Sequence, residues 1–388
     1  MNYDVIIVGG GGMGSSAAVH LAQSPNGARV AVIERDPTYI DAQTWRANTG
    51  GIRRTHSLPE NIALSQYSIE YYRDFAAHTE VDGIGTDAEF VPGGYVMTAS
   101  PAGIANLAVN FELQTTMGVD VRWLEPSQAA SQFPMLRQDH IGAAVHSPAD
   151  GWANPQRVLE GLRRKAVALG VDYLVDEAMV FERAGRRISS VTLASGRTLR
   201  APTIVLAAGP WSGLVAKKAG VTIPVGPLLR HDFDFEVDAP SAPQPFIRDW
   251  ARIAFRPEGR GYRGGAQTTA TSRSFDFAAD PNFFETMMRP ALTDSLHGFE
   301  GVRQVGAVTG LFDFNALDQN AIIGPCSGTL DNLYLLTGFS GHGFMHAPGA
   351  GRAIAELIIH GEFRTIDLTR LGWQRVVDGK PYLDRKAG

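Results

Sequence analysis

The chain has 388 residues, of which 44% are hydrophobic and 19% are charged, and its formal net charge is −5. This composition allows a large core and excludes an intrinsically disordered chain, while the weak negative charge without a basic block argues against a nucleic-acid partner. The single cysteine, Cys326, excludes an intramolecular disulfide and a cysteine-rich metal centre, so we predict no metal site. It also favours a reducing compartment, and since no apolar run of about 20 residues offers a transmembrane segment, we expect a cytoplasmic protein.

A glycine-rich turn between a strand and a helix opens the chain. The apolar run Val5–Val8 predicts a buried strand, and residues 15–23 after the turn predict a helix. The glycines that permit the tight turn, the approach of a pyrophosphate and close helix packing are Gly9, Gly11 and Gly14. Residues 29–33 predict a second strand, and Glu34 at its end is placed to accept hydrogen bonds from ribose hydroxyls. This order indicates a dinucleotide site, and the carboxylate disfavours NADP because it would repel a 2′-phosphate.

The middle of the chain alternates helix and strand patterns, which indicates an α/β fold. Helices are predicted over about 59–78, 101–117 and 155–170. Asn154 is expected to cap the last of these helices, and Gly170 to end it. Strands are predicted over 94–98, 141–146, 171–174, 179–181, 188–193 and 203–209. The pattern stays strand-rich over 224–309, with a hairpin joining 252–256 to 261–266.

A second glycine loop lies near the C-terminus. A strand over 333–336 leads into Thr337-Gly-Phe-Ser-Gly-His-Gly343. A helix is predicted from Ala347 to His360, with Pro348 in its first turn and Gly361 at its C-terminal end. Glycine turns before a helix offer free backbone amides and the positive end of the helix dipole to a negatively charged group.

Five motifs, the last of which includes most of the second glycine loop, stand between and within these elements. They are Gly50-Gly-Ile-Arg-Arg54, Asp150-Gly-x-x-Asn-Pro155, Ala207-Ala-Gly-Pro-Trp211, Asp318-Gln-Asn-Ala-Ile-Ile-Gly-Pro325 and Gly338-Phe-Ser-Gly-His-Gly-Phe344. Together with the N-terminal fingerprint, they resemble those of the D-amino-acid-oxidase-type FAD-dependent oxidoreductases, which include sarcosine oxidase and glycine oxidase. The resemblance covers nearly the whole chain. Residues 50–65 are most similar to a mitochondrial member linked to respiratory complex I assembly.

The resemblance implies a Rossmann-like FAD domain with an interleaved α+β substrate domain built on a large mixed sheet. Residues 1–84, 147–222 and 312–388 are assigned to the discontinuous FAD-binding domain. Residues 85–146 and 223–311 are assigned to the substrate domain. The flavin ring is expected to lie between the two domains.

The resemblance also implies which residues bind FAD. They are Gly9, Gly11, Gly12, Met13, Gly14, Glu34, Arg35, Gly50, Gly51, Val180, Ala208, Gly209, Gly310, Leu311, Gly338, Ser340, Gly341, His342, Gly343, Phe344 and Met345. Among them, the backbone of Val180 is expected to contact the adenine. Where sarcosine oxidase carries a flavin-linked cysteine, this chain has Gly310-Leu-Phe, so we predict that FAD is held non-covalently.

Three residues are the candidates for catalytic roles. In similar amine oxidases, one arginine of the Gly50 loop faces the flavin and another pairs with a substrate carboxylate, roles that fall to Arg53 and Arg54. His342 lies inside the second glycine loop and either faces the flavin or holds the turn. The weaker candidates are Arg230 and Arg263, and the candidate cavity aromatics are Trp45 and Tyr262.

The implied reaction is oxidation of a C–N bond in an amine or amino acid, by hydride transfer to flavin N5 to give an imine. Met345 stands where sarcosine oxidase has a carboxylate-binding lysine, and Arg263 is the nearest match to its O₂-activating lysine. These departures leave the substrate open, and the electron acceptor is O₂ or a quinone or protein. The alternatives are a FAD-dependent 2-hydroxy acid dehydrogenase and a flavin-stabilised assembly factor with little turnover.

Overall fold

A computed structural model describes residues 2–24, 27–36, 38, 47–238, 244–266 and 273–386. The strands are β1 (Val5–Val8), β2 (Val30–Glu34), β3 (Gly51–Ile52), β4 (Tyr95–Ala99), β5 (Arg122–Leu124), β6 (Ala143–Ser147), β7 (Gly151–Trp152), β8 (Asp172–Val175), β9 (Ala178–Ala184), β10 (Arg187–Leu193), β11 (Thr198–Leu199), β12 (Thr203–Leu206), β13 (Val225–Glu236), β14 (Phe246–Arg248), β15 (Ile253–Glu258), β16 (Gly261–Ala266), β17 (Arg303–Asn315), β18 (Ile322–Cys326) and β19 (Leu330–Thr337). The α-helices are α1 (Gly12–Ala22), α2 (Pro59–Arg73), α3 (Phe75–His78), α4 (Ile104–Thr116), α5 (Pro126–Gln132), α6 (Pro155–Ala168), α7 (Ser212–Lys218), α8 (Arg289–Ser295), α9 (Gly343–His360) and α10 (Gln374–Val377).

The N-terminal strand lies at the centre of a six-stranded sheet. The strand order is β18-β19-β12-β1-β2-β8, and every neighbouring pair is parallel except β18 with β19. All four residues of β1 are buried, as a parallel strand covered on both faces requires. Because the carboxyl ends of parallel strands meet at one edge of a sheet, the segments that follow β1, β2, β12 and β19 come together there.

A second sheet has eight strands, in the order β17-β13-β16-β15-β14-β4-β6-β5. It is mixed, since β14 and β4 are parallel and the other neighbours are antiparallel. It draws on two stretches of chain, 95–147 and 225–315, which alternate with the stretches that build the six-stranded sheet. This architecture confirms the predicted fold class, whereas the exact domain boundaries stay a proposal.

Side chains of β1 alternate between two hydrophobic clusters. Val5 and Ile7 belong to a cluster with residues of α1, α2 and α9, while Ile6 and Val8 belong to one on the opposite face. Helix α1 packs against α9 and α6, and α2 packs against α9. The sheet is therefore covered on both faces. Among the residues that the structure describes, no helix is long and apolar enough to cross a membrane.

The residues predicted to cap and to end helix α6 are confirmed. The side chain of Asn154 accepts hydrogen bonds from the backbone amides of Gln156 and Arg157, so it caps the helix as expected. Gly170, two residues after the helix, has a φ of 87°. The helix predicted over 59–78 is interrupted at Asp74 and forms the separate elements α2 and α3.

The prediction for the start of the C-terminal helix was wrong. Helix α9 begins at Gly343 rather than at Ala347, so Pro348 lies inside the helix. Proline has no amide hydrogen and leaves the carbonyl four residues earlier, at Phe344, without its helical partner. The hydroxyl of Tyr72, on α2, donates a hydrogen bond of 2.6 Å to this carbonyl. A side chain from another helix therefore satisfies the acceptor, while Gly361 ends α9 with a φ of 78°, as predicted.

We expect Tyr72→Phe to lower the free energy of unfolding by about 1–3 kcal/mol, because it removes the hydroxyl that donates a hydrogen bond to the buried Phe344 carbonyl. The measurement is urea unfolding at a fixed FAD concentration. In a Pro348→Ala background, the restored amide supplies the missing donor, so the same substitution should cost less. Equal losses in both backgrounds would contradict this account of the hydrogen bond.

Candidate active site

A cavity of about 290 Å³ lies at the carboxyl edge of the six-stranded sheet, and we call it the glycine-lined cavity. Both glycine motifs of the sequence contribute to it. The predicted cofactor-binding residues that line it are Gly9, Gly11, Gly12, Met13, Glu34, Arg35, Ala208, Gly209, Gly341, Gly343 and Phe344. The two distant segments of the chain thus meet at one cavity.

Two glycines of the N-terminal turn occupy positions that no other residue fits. Gly9 has a φ of 108°, and a β-carbon there would lie 2.3 Å from the backbone oxygen of Ala207. A β-carbon at Gly14 would lie 1.9 Å from the backbone oxygen of Gly9. The first glycine therefore lets β1 and β12 approach each other, and the second lets α1 begin directly against the turn.

Glu34, at the end of β2, forms one end of the glycine-lined cavity. Its carboxylate accepts hydrogen bonds from the backbone amides of Gly10, at 2.8 Å, and Asp36, at 2.9 Å. Burial raises the pKa of Glu34, although these two amides favour the charged form. Beside it, the guanidinium of Arg35 lies 4.4 Å from the centre of the Trp211 ring. This end offers a fixed acceptor next to an aromatic surface.

The second glycine loop forms the other end of this cavity. Gly341 has a φ of 98°, and a β-carbon there would lie 2.8 Å from the ring of Phe312. The loop is held to β17, since the amide of Phe339 donates to the carboxylate of Asp313 at 2.9 Å. Burial raises the pKa of Asp313 to about 6. Because α9 starts at Gly343, the positive end of its helix dipole lies at the loop itself.

A larger cavity, of about 370 Å³, lies on the side of the eight-stranded sheet, and we call it the arginine-lined cavity. Arg53, Arg230 and Arg248 line it, together with Ser340 and His342 of the second glycine loop. A small cavity of about 60 Å³ is lined by the same three arginines, and it shares Phe312 and Gly341 with the glycine-lined cavity. The two large cavities are therefore neighbours across this loop.

The structure separates the two adjacent arginine candidates. Arg53 lines the arginine-lined cavity, and its guanidinium donates to the backbone oxygen of Thr55 and lies 3.3 Å from His342 Nε2. Arg54 lines none of the three cavities, and its Nε lies 2.7 Å from the carboxylate of Asp150. Its backbone amide also donates to Asp150, at 2.8 Å. We therefore assign Arg54 a structural role, in contrast to the sequence prediction.

Comparisons with known proteins show which family the chain belongs to. The family described as "FAD dependent oxidoreductase" (DAO) matches residues 4–357. FAD-dependent oxidoreductase domain-containing protein 1 of Xenopus laevis is 34% identical, over 98% of this chain and 84% of that protein. The sarcosine oxidase subunit beta of an Arthrobacter species is 24% identical, over 94% of this chain and 89% of its own length.

The chain belongs to the DAO family of FAD-dependent oxidoreductases. Among solved structures, L-proline dehydrogenase from P. horikoshii shares the fold, with a TM-score of 0.86 and 23% identity over 98% of this chain and 99% of that one. The predicted family and the FAD cofactor are thereby confirmed. The protein is an oxidoreductase of this family.

The residues of the glycine-lined cavity fit FAD. Gly9 and the start of α1 at Gly12 line this cavity and would hold the diphosphate. Glu34 would supply the acceptor for the adenosine ribose, and the loop around Gly341 would hold the isoalloxazine. The one cysteine of the chain, Cys326, is buried in the hydrophobic core and lines none of these cavities.

We expect Gly9→Ala to weaken FAD binding by about tenfold or more, because the β-carbon forces β1 and β12 apart and the backbone into a strained conformation. The measurement is titration of the FAD-depleted protein with FAD, followed by quenching of flavin fluorescence. Gly27→Ala is the matched control, since Gly27 also has a positive φ but has no atom near its β-carbon position. Unchanged affinity in Gly9→Ala would refute the role of the turn.

Three histidines lie together beside Arg53, and the sequence predicted only one of them. The ring of His56 lies 5.3 Å from that of His342 and 5.1 Å from that of His346. Burial and the charge of Arg53 lower the pKa of His342 well below its usual value, and that of His346 to about 3. Within the described part of the chain, no cluster of side chains suits a metal ion. Because burial and the charge of Arg53 lower the pKa of His56 as well, all three rings are neutral neighbours of the arginine.

The remaining predicted residues lie in several places. Gly51, His342 and Met345 line the small cavity, and Ser340 and His342 line the arginine-lined cavity. The predicted residues that line none of the three cavities are Gly14, Gly50, Val180, Gly310, Leu311 and Gly338. Val180 is exposed, and Ala178 of the same strand lines the glycine-lined cavity in its stead.

The weaker candidates also differ in whether they line a cavity. Arg230 lines the arginine-lined cavity, whereas Arg263 pairs with Asp232 at 3.0 Å and lines none of the three cavities. Tyr262 packs in the core of the eight-stranded sheet, and Trp45 lies outside the described residues. Sequence reasoning missed Arg248, His56 and the lining aromatics Trp211, Phe312 and Phe339. Trp211, Phe312 and Phe339 stand inside segments singled out in the sequence, and His56 follows the Gly50 motif, whereas nothing local marks Arg248.

Proposed function

We propose that this protein uses bound FAD to oxidise a C–N bond in an amine or amino acid that carries a carboxylate. One observation carries the proposal, namely the arginine-lined cavity next to the glycine-lined cavity. Arg53 and Arg230 are 5% and 9% exposed, and no described carboxylate lies within ion-pair distance of either guanidinium. A planar guanidinium donates two parallel hydrogen bonds to a carboxylate, which suits these residues to orient an acidic substrate.

When bound, FAD supplies the hydride acceptor of the reaction. The chain's own residues bind and orient the substrate carboxylate through Arg53 and Arg230. Nearby arginine charges also lower the pKa of a substrate ammonium, so they favour the neutral amine, which is the form that is oxidised. This electrostatic effect supports an amine as substrate.

In this proposal His342 orients Arg53 and does not act as a base. Its Nε2 faces the guanidinium of Arg53, which only donates hydrogen bonds, so this nitrogen is the acceptor and the proton resides on Nδ1. The ring thus fixes the orientation of Arg53 and is not free to accept a proton at Nε2. Oxidation of a 2-hydroxy acid needs a base for the hydroxyl proton, and His342 does not supply one at this nitrogen, which supports an amine as the substrate.

The test is anaerobic mixing of the FAD-loaded protein with a panel of amines, amino acids and 2-hydroxy acids, followed at the flavin absorbance. Bleaching by amino acids or N-methylated amino acids supports the proposal. Bleaching by 2-hydroxy acids alone would assign the dehydrogenase, and a flavin that stays oxidised throughout would favour the assembly factor. Repeating the reaction in air tells whether O₂ accepts the electrons.

A cytoplasmic location stays a proposal, supported by the buried thiol of Cys326.

A further inference from the structure

The arginine-lined cavity carries more positive charge than one carboxylate would balance. The cationic side chains among its described lining residues are Arg53, Arg230, Arg248, Arg252, Arg385 and Lys386. The carboxylates are only Asp249 and Asp384, so six cationic groups face two anionic ones. A substrate with a single carboxylate leaves most of this excess in place.

Both lining carboxylates are already engaged within the protein. Asp249 accepts hydrogen bonds from the hydroxyls of Thr98, at 2.7 Å, and Ser295, at 3.1 Å, and its Oδ1 lies 3.1 Å from His140 Nε2. Asp384 accepts from the hydroxyl of Ser57 at 2.7 Å. These contacts fix the two carboxylates at the wall, so they offset the field of the arginines without occupying the cavity.

The positive groups form two sets at different depths. The inner set is Arg53, Arg230 and Arg248, which also line the small cavity next to His342. The outer set is Arg252, Arg385 and Lys386, all of them exposed. A ligand that reaches from the flavin side to the mouth of the cavity therefore meets positive charge at both ends.

Two members of the outer set, Arg385 and Lys386, are held in place by hydrogen bonds to their backbone. The side-chain amides of Asn110 and Asn106, on α4, donate to the carbonyls of Arg385, at 3.0 Å, and Lys386, at 2.8 Å. The amide of Arg385 donates to the hydroxyl of Ser57 at 3.0 Å. Ordering the C-terminal segment in advance reduces the entropic cost of using it to bind a ligand.

We infer that the substrate is an amino acid with a second carboxylate, an amino dicarboxylic acid, and that the outer set binds this second group. The inference rests on the proposed function, because it takes the inner set to bind the first carboxylate beside the C–N bond. A charge at the mouth attracts an acidic ligand and selects it over a neutral one of the same length. Arg385 and Lys386 thereby become determinants of specificity that contact neither the flavin nor the reacting bond.

The test compares ligands matched in length. Glutarate and pentanoate are titrated into the FAD-loaded protein, and binding is read from the perturbation of the flavin absorbance, which needs no turnover. We expect glutarate to bind at least about tenfold more tightly. In Arg385→Gln/Lys386→Gln, this preference should fall by about three- to tenfold, with pentanoate affinity unchanged. Arg260→Gln removes a charge from an exposed hairpin turn outside the cavity and should leave the preference intact.

Two results would overturn the inference: equal binding of glutarate and pentanoate, or a double variant with the full preference of the wild type. Anaerobic bleaching by glutamate and by norvaline, each as both enantiomers, then tests turnover. Faster bleaching by glutamate supports the inference, and equal rates contradict it. If neither compound nor any other amine bleaches the flavin while glutarate still binds more tightly, the proposed oxidation fails and the charge preference of the cavity stands.

Discussion

Replacing Arg53 by glutamine should reduce kcat/KM for the substrate by about 30-fold to several thousandfold, which corresponds to about 2–5 kcal/mol. The Arg53 guanidinium is buried, and burial, followed by the charge of Arg248, lowers its pKa to about 10. It stays protonated near neutral pH, in a site where no described carboxylate forms an ion pair with it. A bound substrate carboxylate supplies that partner, so the variant loses a desolvated, charge-assisted hydrogen bond.

The measurement is steady-state kinetics with the substrate found in the bleaching panel, together with FAD content and urea unfolding. We expect bound FAD to remain and the free energy of unfolding to be unchanged or higher, because a buried charge without a carboxylate partner has been removed. Arg53→Lys keeps the charge without the planar fork and should lie between the wild type and Arg53→Gln. Activity of Arg53→Gln within about threefold of the wild type would contradict the assignment.

The dinucleotide site could be predicted because its information is local. The strand, the glycines and the acid at the next strand end follow one another within the first 34 residues, and each has a fixed role in a βαβ unit. The glycine loop near the C-terminus could be predicted for the same reason. That the two face one cavity follows from the parallel order of β1, β12 and β19 at a common sheet edge.

Features that depend on contacts between residues far apart in the sequence could not be predicted. The start of α9 depends on Tyr72, a hydroxyl donor far away in sequence that satisfies a carbonyl left open by Pro348. Arg248 is a single charged residue at the end of the short strand Phe246–Arg248, and no motif around it indicates a role. Asp384 and Arg385 stand in a segment without periodicity, and only the fold brings them to the cavity.

Arg53 and Arg54 show this limit most clearly, because adjacent residues of the same type have the same composition and spacing signals. The direction of each side chain is set after β3, the two-residue strand Gly51–Ile52 that pairs with β7. Successive side chains near an extended strand point to opposite sides, so one arginine faces the cavity and the other faces Asp150.

Replacing Arg54 by alanine should lower the free energy of unfolding by about 3–5 kcal/mol, because it leaves the carboxylate of Asp150 buried without its cation. The side chain of Asp150 is fully buried, and burial already raises its pKa while Arg54 opposes the rise. Without Arg54 the pKa rises further. A raised folded-state pKa favours folding at low pH, so the deficit should shrink as the pH falls and grow as the pH rises.

The experiment is urea unfolding of the wild type and Arg54→Ala at a fixed FAD concentration and at several pH values, since bound FAD itself adds to the apparent stability. A double variant, Arg54→Met/Asp150→Leu, removes both charges and should recover most of the loss, because no buried charge is left unpaired. A deficit independent of pH and equal in both variants would contradict the ion-pair explanation.

For folded Arg54→Ala we expect a far smaller fall in kcat/KM than for Arg53→Gln, because Arg54 lines none of the three cavities. Two neighbouring arginines would thus be separated by experiment into one that stabilises the fold and one that binds substrate.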